Sequence, residues 1–309
     1  MKLRAVPVAA LLLGACTGGV DAPTATPLPD TSVTPTPEPE QTEAAQRKSF
    51  AFPGPDAPVP RSPKMFAADL ARTNRQLKQA IDAWLADGGR LQQRSARPVS
   101  LGALRQQKLY RTLVVNPRLA TEVMKLVSPR TRQVIEDHVV AGRGLRSLVT
   151  PLERTGTLPV TPPDDPRLLR RLYHQAGRRF DVDWEVLAAL NFVESKFGRF
   201  MGPSSAGAMG PMQFIPSTWD IYGGGGDILD PRDAIPAAAR YLAATGAPED
   251  VRSALYAYNR SYAYVDAVQA YARHIKRDPR NLYAYYFWQV FVITTKGDVQ
   301  LSGPGTGKL

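Results

Sequence analysis

The chain has one cysteine in 309 residues, Cys16, and three histidines, His138, His174 and His274. A single thiol excludes an intrachain disulfide and every multi-thiolate metal site. None of the histidines has a partner at metal-ligand spacing, and no glycine-rich loop of the nucleotide-binding type is present, so neither metal nor cofactor is expected. Long apolar runs are missing too. The first apolar run, Ala5 to Leu13, is interrupted by Pro7 and falls far short of the roughly 20 residues that cross a bilayer. Lys2 and Arg4 precede it and Leu13-Gly14-Ala15-Cys16 ends it, the order of an exported protein's signal peptide over residues 1–16.

What is abundant is proline, 28 in all. Residues 17–63 hold Pro23, Pro27, Pro29, Pro35, Pro37, Pro39, Pro53, Pro55, Pro58, Pro60 and Pro63, with threonines between, and no window is left for a helix. Such a segment reads as a disordered or extended tether, reaching roughly 150 Å if stretched at about 3.1 Å per residue. The ending at Cys16 resembles the lipobox of bacterial lipoproteins, which implies lipidation of Cys16 and a membrane anchor; the alternative is ordinary secretion with cleavage nearby.

The net charge of +11 is unevenly placed. Residues 64–150 carry sixteen Lys and Arg against six Asp and Glu, while the segments on either side are nearly neutral. In an exported protein this field argues against nucleic acid, and for anionic cell-wall polymer or lipid head groups. Apolar residues at helical spacing mark four helices in this basic stretch. They run through Leu70, Leu77, Ile81, Trp84 and Leu85, then Leu101 to Val114, then Leu119 to Val127, then Val134 to Leu148. We expect a basic helical domain over 64–152, a Pro- and Thr-rich boundary over 155–166, a second domain over 167–275 and an aromatic extension over 276–309. In the extension, Val290 to Ile293 and Val299 to Leu301 flank Lys296-Gly297-Asp298 as a β-hairpin. Its aromatics, Tyr283 to Trp288, are expected to pack, with sugar stacking as the alternative.

The second domain centres on a helix beginning after Asp183 and ending at Gly198. Leu187, Leu190, Glu194 and Phe197 are spaced 3, 4 and 3 apart, so an acid occupies a place reserved for an apolar residue. Glu185, on the opposite face, should meet water. A carboxyl at the edge of an apolar core has its pKa raised, and a carboxylic acid that keeps its proton near neutral pH can donate it to a leaving group. The structural alternative is a glutamate neutralised by a neighbour such as Lys196. A loop shaped by Gly202, Gly207, Gly210, Pro203, Pro211 and Pro216 follows, with Gln213 held between Met212 and Phe214. Later, Tyr258 and Asn259 offer a phenol and an amide side by side.

Glu194-Ser195, then Ser205 to Gln213, then Ala257-Tyr258-Asn259 resemble three signatures of the lytic transglycosylases, bacterial enzymes sharing the goose-type lysozyme fold. Pro211 stands where that family usually has leucine. The resemblance runs from about Arg167 to His274. It implies a mainly α protein, with a lysozyme-like (α+β) catalytic domain behind the helical one. It implies action on peptidoglycan glycan strands, with Glu194 protonating the β-1,4 bond between N-acetylmuramic acid and N-acetylglucosamine. As carboxylate, Glu194 would then accept the proton of the sugar's C6 hydroxyl while a 1,6-anhydro ring closes. By the same resemblance Ser195, Ser205 and Gln213 would position the sugar and Met212 would form an apolar floor. Tyr258 and Asn259 would bond the N-acetyl group or the glutamate.

Two other readings remain open from the residues alone. A hydrolytic muramidase needs a second carboxyl at about 5–9.5 Å, for which Asp220, Asp227, Asp230 and Asp233 are candidates. A wall-binding lipoprotein without catalysis needs only the groove. The segment Tyr222 to Asp233 has a calcium-like look but lacks the alternating oxygen ligands and final glutamate of an EF-hand. It reads as a glycine turn before a helix starting near Asp233, with Pro236 in the first turn.

Overall fold

The structure, a computed structural model, describes residues 50–155, 158–204 and 206–306. The signal peptide, Cys16, most of the tether and Ser205 lie outside them. Among the described residues four helices come first: α1 (Pro63–Ala86), α2 (Ala96–Val115), α3 (Pro117–Lys125) and α4 (Pro129–Ser147). Prolines at the first turns of α1, α3 and α4 start them where the missing N–H costs nothing. Asn116 and Ser128 cap α3 and α4 by accepting from Leu119 and Thr131 backbone N–H groups. The apolar stripe of α1 faces inward through Phe66, Leu70, Leu77, Ile81 and Trp84.

Seven more helices follow: α5 (Pro166–Phe180), α6 (Trp184–Ser195), α7 (Pro216–Tyr222), α8 (Pro231–Ala244), α9 (Val251–Tyr258), α10 (Tyr262–Arg277) and α11 (Arg280–Tyr286). The expected hairpin is present as antiparallel β1 (Phe291–Thr294) and β2 (Gly297–Gln300), with Val292 opposite Val299. Leu152 joins β1 beside Thr294, donating to the Ile293 carbonyl and accepting from Thr295 N–H. The molecule is thus mainly helical with one short hairpin.

Helix α6 is central, packed against α5, α8, α10 and α11. One core cluster runs from Phe66 of α1 to Trp288. The basic helices meet the later ones along α4 and α10, and α2 holds the tail through buried amides. Gln107 donates to the Gln289 carbonyl and accepts from Gln289 N–H, both at 2.8 Å, and Trp288 Nε1 donates to Gln106 Oε1 at 3.0 Å. The aromatics Tyr283 to Trp288 are all buried, so they are packing residues with no face for sugar.

Several expectations need correction. The last part of the tether, residues 50–62, is docked against the helices, because Phe50, Phe52 and Val59 pack on the core and Arg105 binds the Ala57 and Pro58 carbonyls. Helix α8 starts at Pro231 behind the N-cap Asp230, so Pro236 lies inside the helix. The segment 280–286, read only as aromatic, is a helix.

Candidate active site

Helix α6 ends at Ser195, three residues before the predicted stop. Lys196, Phe197 and Gly198 follow with φ of 54°, 62° and 83°, a run of three left-handed residues of which two are not glycine. Positive φ is costly for a bulky residue such as Phe197, on the order of 1–3 kcal/mol, and persists only where the surroundings fix it. Here Phe197 N–H bonds the Asn191 carbonyl, Gly198 N–H bonds Ser195 Oγ at 2.9 Å, and the Phe197 ring is buried. Phe197 is therefore not on the helical stripe that made Glu194 conspicuous. Nor does Glu185 meet water: α6 is covered on nearly every side and Glu185 is 8 % exposed, with burial pushing its carboxyl pKa up. A helix buried all round has no polar face to assign.

Glu194 borders a cavity of about 160 Å³, and so keeps some accessible surface while its carboxyl is densely surrounded. Burial raises its pKa to about 7; a hydrogen bond donated by Tyr264 Oη to Oε1 and the charge of Lys196 act the other way and are smaller. Lys196 does not form an ion pair with it. Its Nζ donates to the Phe192 carbonyl at 3.0 Å and lies 4.4 Å over the Phe192 ring. Val193, Phe200, Thr150, Leu152 and β1 complete the walls, so the residues after α4 and the C-terminal hairpin close over the acid.

The glycine-shaped loop is tied down by side chains from α6 and α9. Met209 and Phe214 exchange backbone hydrogen bonds, which folds 210–213 into a tight turn. Asn191 Nδ2 and Ser195 Oγ both donate to the Pro211 carbonyl, at 2.7 and 2.6 Å. Tyr258 Oη donates to the Met212 carbonyl at 2.6 Å, and Tyr173 Oη fixes Asn191 by donating to its Oδ1 at 2.6 Å. Proline at 211 fits because the loop is held there through a carbonyl, which proline retains.

These contacts change several expected roles. Ser195 belongs to the lining of the Glu194 cavity but is 1 % exposed, and its hydroxyl is engaged by the Pro211 carbonyl and the Gly198 N–H, which ties the loop to α6. Met212 is wholly buried and lies in the core rather than on an exposed floor. The phenol on Glu194 is Tyr264, not Tyr258, because Tyr258 is committed to the loop. Gln213, at φ 49°, turns its amide back to donate to the Gly210 carbonyl at 3.0 Å. Asn259 is buried at the end of α9, and neither it nor Gln213 lines the Glu194 cavity.

None of the four candidate aspartates lines that cavity either. Asp230 caps α8, Asp233 accepts from Asp227 N–H, Asp227 accepts from Leu229 N–H, and Asp220 is exposed. The carboxyls of Asp227, Asp230 and Asp233 thus serve the turn that leads into α8. Among the described residues no group of three or more His, Cys, Asp or Glu is placed to hold a metal.

Sequence reasoning passed over Tyr264 and Asn191. Asn191 carried a signal, a lone amide in an apolar run one turn before Ser195. Tyr264 carried none, being one of several tyrosines between 256 and 264.

A helical lobe whose central helix ends on one buried acid, with a glycine loop clamped against it, belongs to the lysozyme-like class. Residues 171–281 match the family described as the transglycosylase SLT domain, and this segment is a domain of that family. The membrane-bound lytic murein transglycosylase F of Methylobacillus flagellatus is 31 % identical over 118 residues, 36 % of this chain and 25 % of that protein. A protein of the same name from Thiobacillus denitrificans is 30 % identical over 121 residues, 37 % of this chain and 25 % of its own. The membrane-bound lytic murein transglycosylase F 1 of Alkalilimnicola ehrlichii is 30 % identical over 120 residues, 36 % and 24 %. The chain thus spans about a quarter of the length of the curated relatives it matches. No solved structure matches it.

Proposed function

We propose that the protein is a peptidoglycan lytic transglycosylase in which Glu194 acts first as acid and then as base. The observation that carries this is the single carboxyl in the lining of a largely apolar cavity, with its pKa raised to about 7. In the first step the Glu194 proton passes to the glycosidic oxygen as the bond from C1 of N-acetylmuramic acid breaks. In the second the carboxylate takes the proton of that sugar's C6 hydroxyl as its oxygen bonds C1. One bond forms for one broken, the proton returns to Glu194, and no water is consumed. An acid of pKa about 7 is suited to both halves at neutral pH. Tyr264 supports the charged intermediate form by donating to it.

Digestion of cell-wall sacculi followed by mass spectrometry of the muropeptides tests the reading. Anhydro ends are expected, and Glu194→Gln should lower cleavage by at least a hundredfold while sacculus binding persists. Reducing ends would replace this proposal with a hydrolytic muramidase. Binding without cleavage by the native chain would leave a wall-binding protein.

The Cys16 lipid anchor and the basic helices facing anionic wall polymer belong to the same proposal, supported by the sequence of residues 1–63 and the charge of 64–150. Cys16→Ser should move the protein from the membrane to the soluble fraction on cell fractionation. Retention at the membrane would remove the anchor from the proposal.

A further inference from the structure

Behind the wall of the Glu194 cavity lies a second cavity, of about 170 Å³, lined by Gln107, Tyr110, Arg111, Arg146 and Trp288 among others. The two share Val149, Lys196, Phe291 and Ile293. Lys196 therefore stands between the acid on one side and two arginines on the other, one from α2 and one from α4.

The charges here do not balance. Arg111 and Arg146 share one carboxylate, Asp298 of β2: Arg111 donates to Oδ2, and Arg146 Nη1 donates to Oδ1 at 2.7 Å. Arg111 also stacks on Phe291, 4.5 Å from the ring centre, and its Nε is buried without a partner among the described residues. Lys196 uses one of its three N–H donors, on the Phe192 carbonyl. Among the described residues the only carboxyl in the lining of either cavity is Glu194 itself. Burial and the neighbouring Arg111 lower the Lys196 pKa to about 8, in keeping with cations that face one another without enough anion. Buried charge is ordinarily paired, and three cations lining one cavity, with two ammonium donors unused on Lys196, leave a place for a missing acceptor.

We propose that Arg111, Arg146 and Lys196 form a subsite for a carboxylate carried by the glycan substrate, next to the scissile bond. This rests on the proposed action on peptidoglycan and adds to it the group by which the strand is recognised. A planar carboxylate matches the guanidinium fork, and the apolar walls strengthen its charge-assisted hydrogen bonds. Two sources share this chemistry: the lactyl carboxylate of a muramic acid stripped of peptide, and the free carboxylates of an attached stem peptide. A subsite sharing Lys196 with the Glu194 cavity would set the register of the muramyl residue against the acid.

The test is co-sedimentation of the full-length Glu194→Gln protein with four polymers. These are sacculi with intact stem peptides, strands stripped of peptide so that the lactyl carboxylates are free, and both after capping of the carboxyls as amides. Capping is expected to weaken binding roughly tenfold, the scale of one charge-assisted hydrogen bond. This loss should disappear when Lys196→Gln or Arg146→Gln is added. Preference for stripped strands identifies the lactyl source, and preference for intact sacculi the peptide. An equal effect of capping with and without these changes means only general attraction by a basic protein, and overturns the subsite; so does equal or absent binding of all polymers. Thermal melts check that the added changes leave the fold intact, and if either unfolds the chain, the other carries the comparison. Cleavage by the native chain is scored separately. Cleavage without carboxylate preference sinks the subsite alone, whereas carboxylate preference without cleavage sinks the enzyme reading and leaves the subsite.

Discussion

Glu194 holds its proton to about pH 7 because burial costs the carboxylate more than the Tyr264 hydroxyl returns. The hydroxyl bonds the charged form, so removing it must raise the carboxyl pKa further. If protonated Glu194 starts the reaction, activity is lost as pH rises through that pKa. In Tyr264→Phe the alkaline limb of the pH–rate profile on sacculi should therefore move upward, by up to about one pH unit for one hydrogen bond. A limb that stays in place would detach Tyr264 from the titration. The acid itself was legible in the sequence as a charged residue amid apolar ones. Its partner was not, since nothing in a run of tyrosines says which phenol a turn of chain will bring to a carboxyl 70 residues earlier.

At the scale of elements, the loop after α6 depends on close approach of backbones. Gly210 has φ of 76°, and a Cβ there would lie 1.9 Å from the Ile228 carbonyl oxygen. Neither the conformation nor the space admits a side chain. Gly210→Ala should destabilise the fold by about 2–3 kcal/mol and displace the Pro211 and Met212 carbonyls from Ser195, Asn191 and Tyr258. We expect cleavage to fall more than tenfold with the helical circular dichroism largely kept; unchanged turnover would show that the clamp is dispensable. The glycines and prolines announced a shaped loop, and periodicity found α1 to α4 because each has one wet face. The same method misjudged α6, whose covered surface leaves no face to read. The left-handed run at Lys196 and Phe197 was hidden as well, because tertiary contacts hold a conformation that those residues do not prefer.

Across the whole molecule, the basic helices and the SLT domain meet through a buried polar chain. Asp137 of α4 bonds His274 Nε2 at 2.9 Å, His274 Nδ1 meets the Tyr285 hydroxyl at 2.9 Å, and that hydroxyl lies 3.2 Å from His138 Nε2. His138 Nδ1 reaches the Val134 carbonyl at 2.8 Å, and its ring stacks on Tyr110 of α2 with centres 3.8 Å apart. Four links need four protons, and two neutral imidazoles with one phenol supply three, so the longest, 3.2 Å, is the one left as a contact. Among the described residues His138 has no carboxylate partner. Burial, then the neighbouring His274, hold its pKa well below the ordinary 6.5. A histidine kept neutral in the fold binds fewer protons than it does unfolded. Its contribution to stability is therefore complete above about pH 6.5 and is lost as pH falls, at no more than about 1.4 kcal/mol per pH unit. The raised carboxyls of Glu185 and Glu194 act in the opposite sense, so the wild-type profile mixes both signs. His138→Phe separates them, since it keeps a flat ring against Tyr110 and removes the proton site. Urea midpoints should show the variant weaker by about 1 kcal/mol at pH 7.5, for the hydrogen bond removed, and less sensitive than the native chain between pH 6.5 and 5. His274, whose pKa burial also lowers, keeps its own acid sensitivity in both proteins, so an equal loss over that range would mean that His138 takes no part in the response.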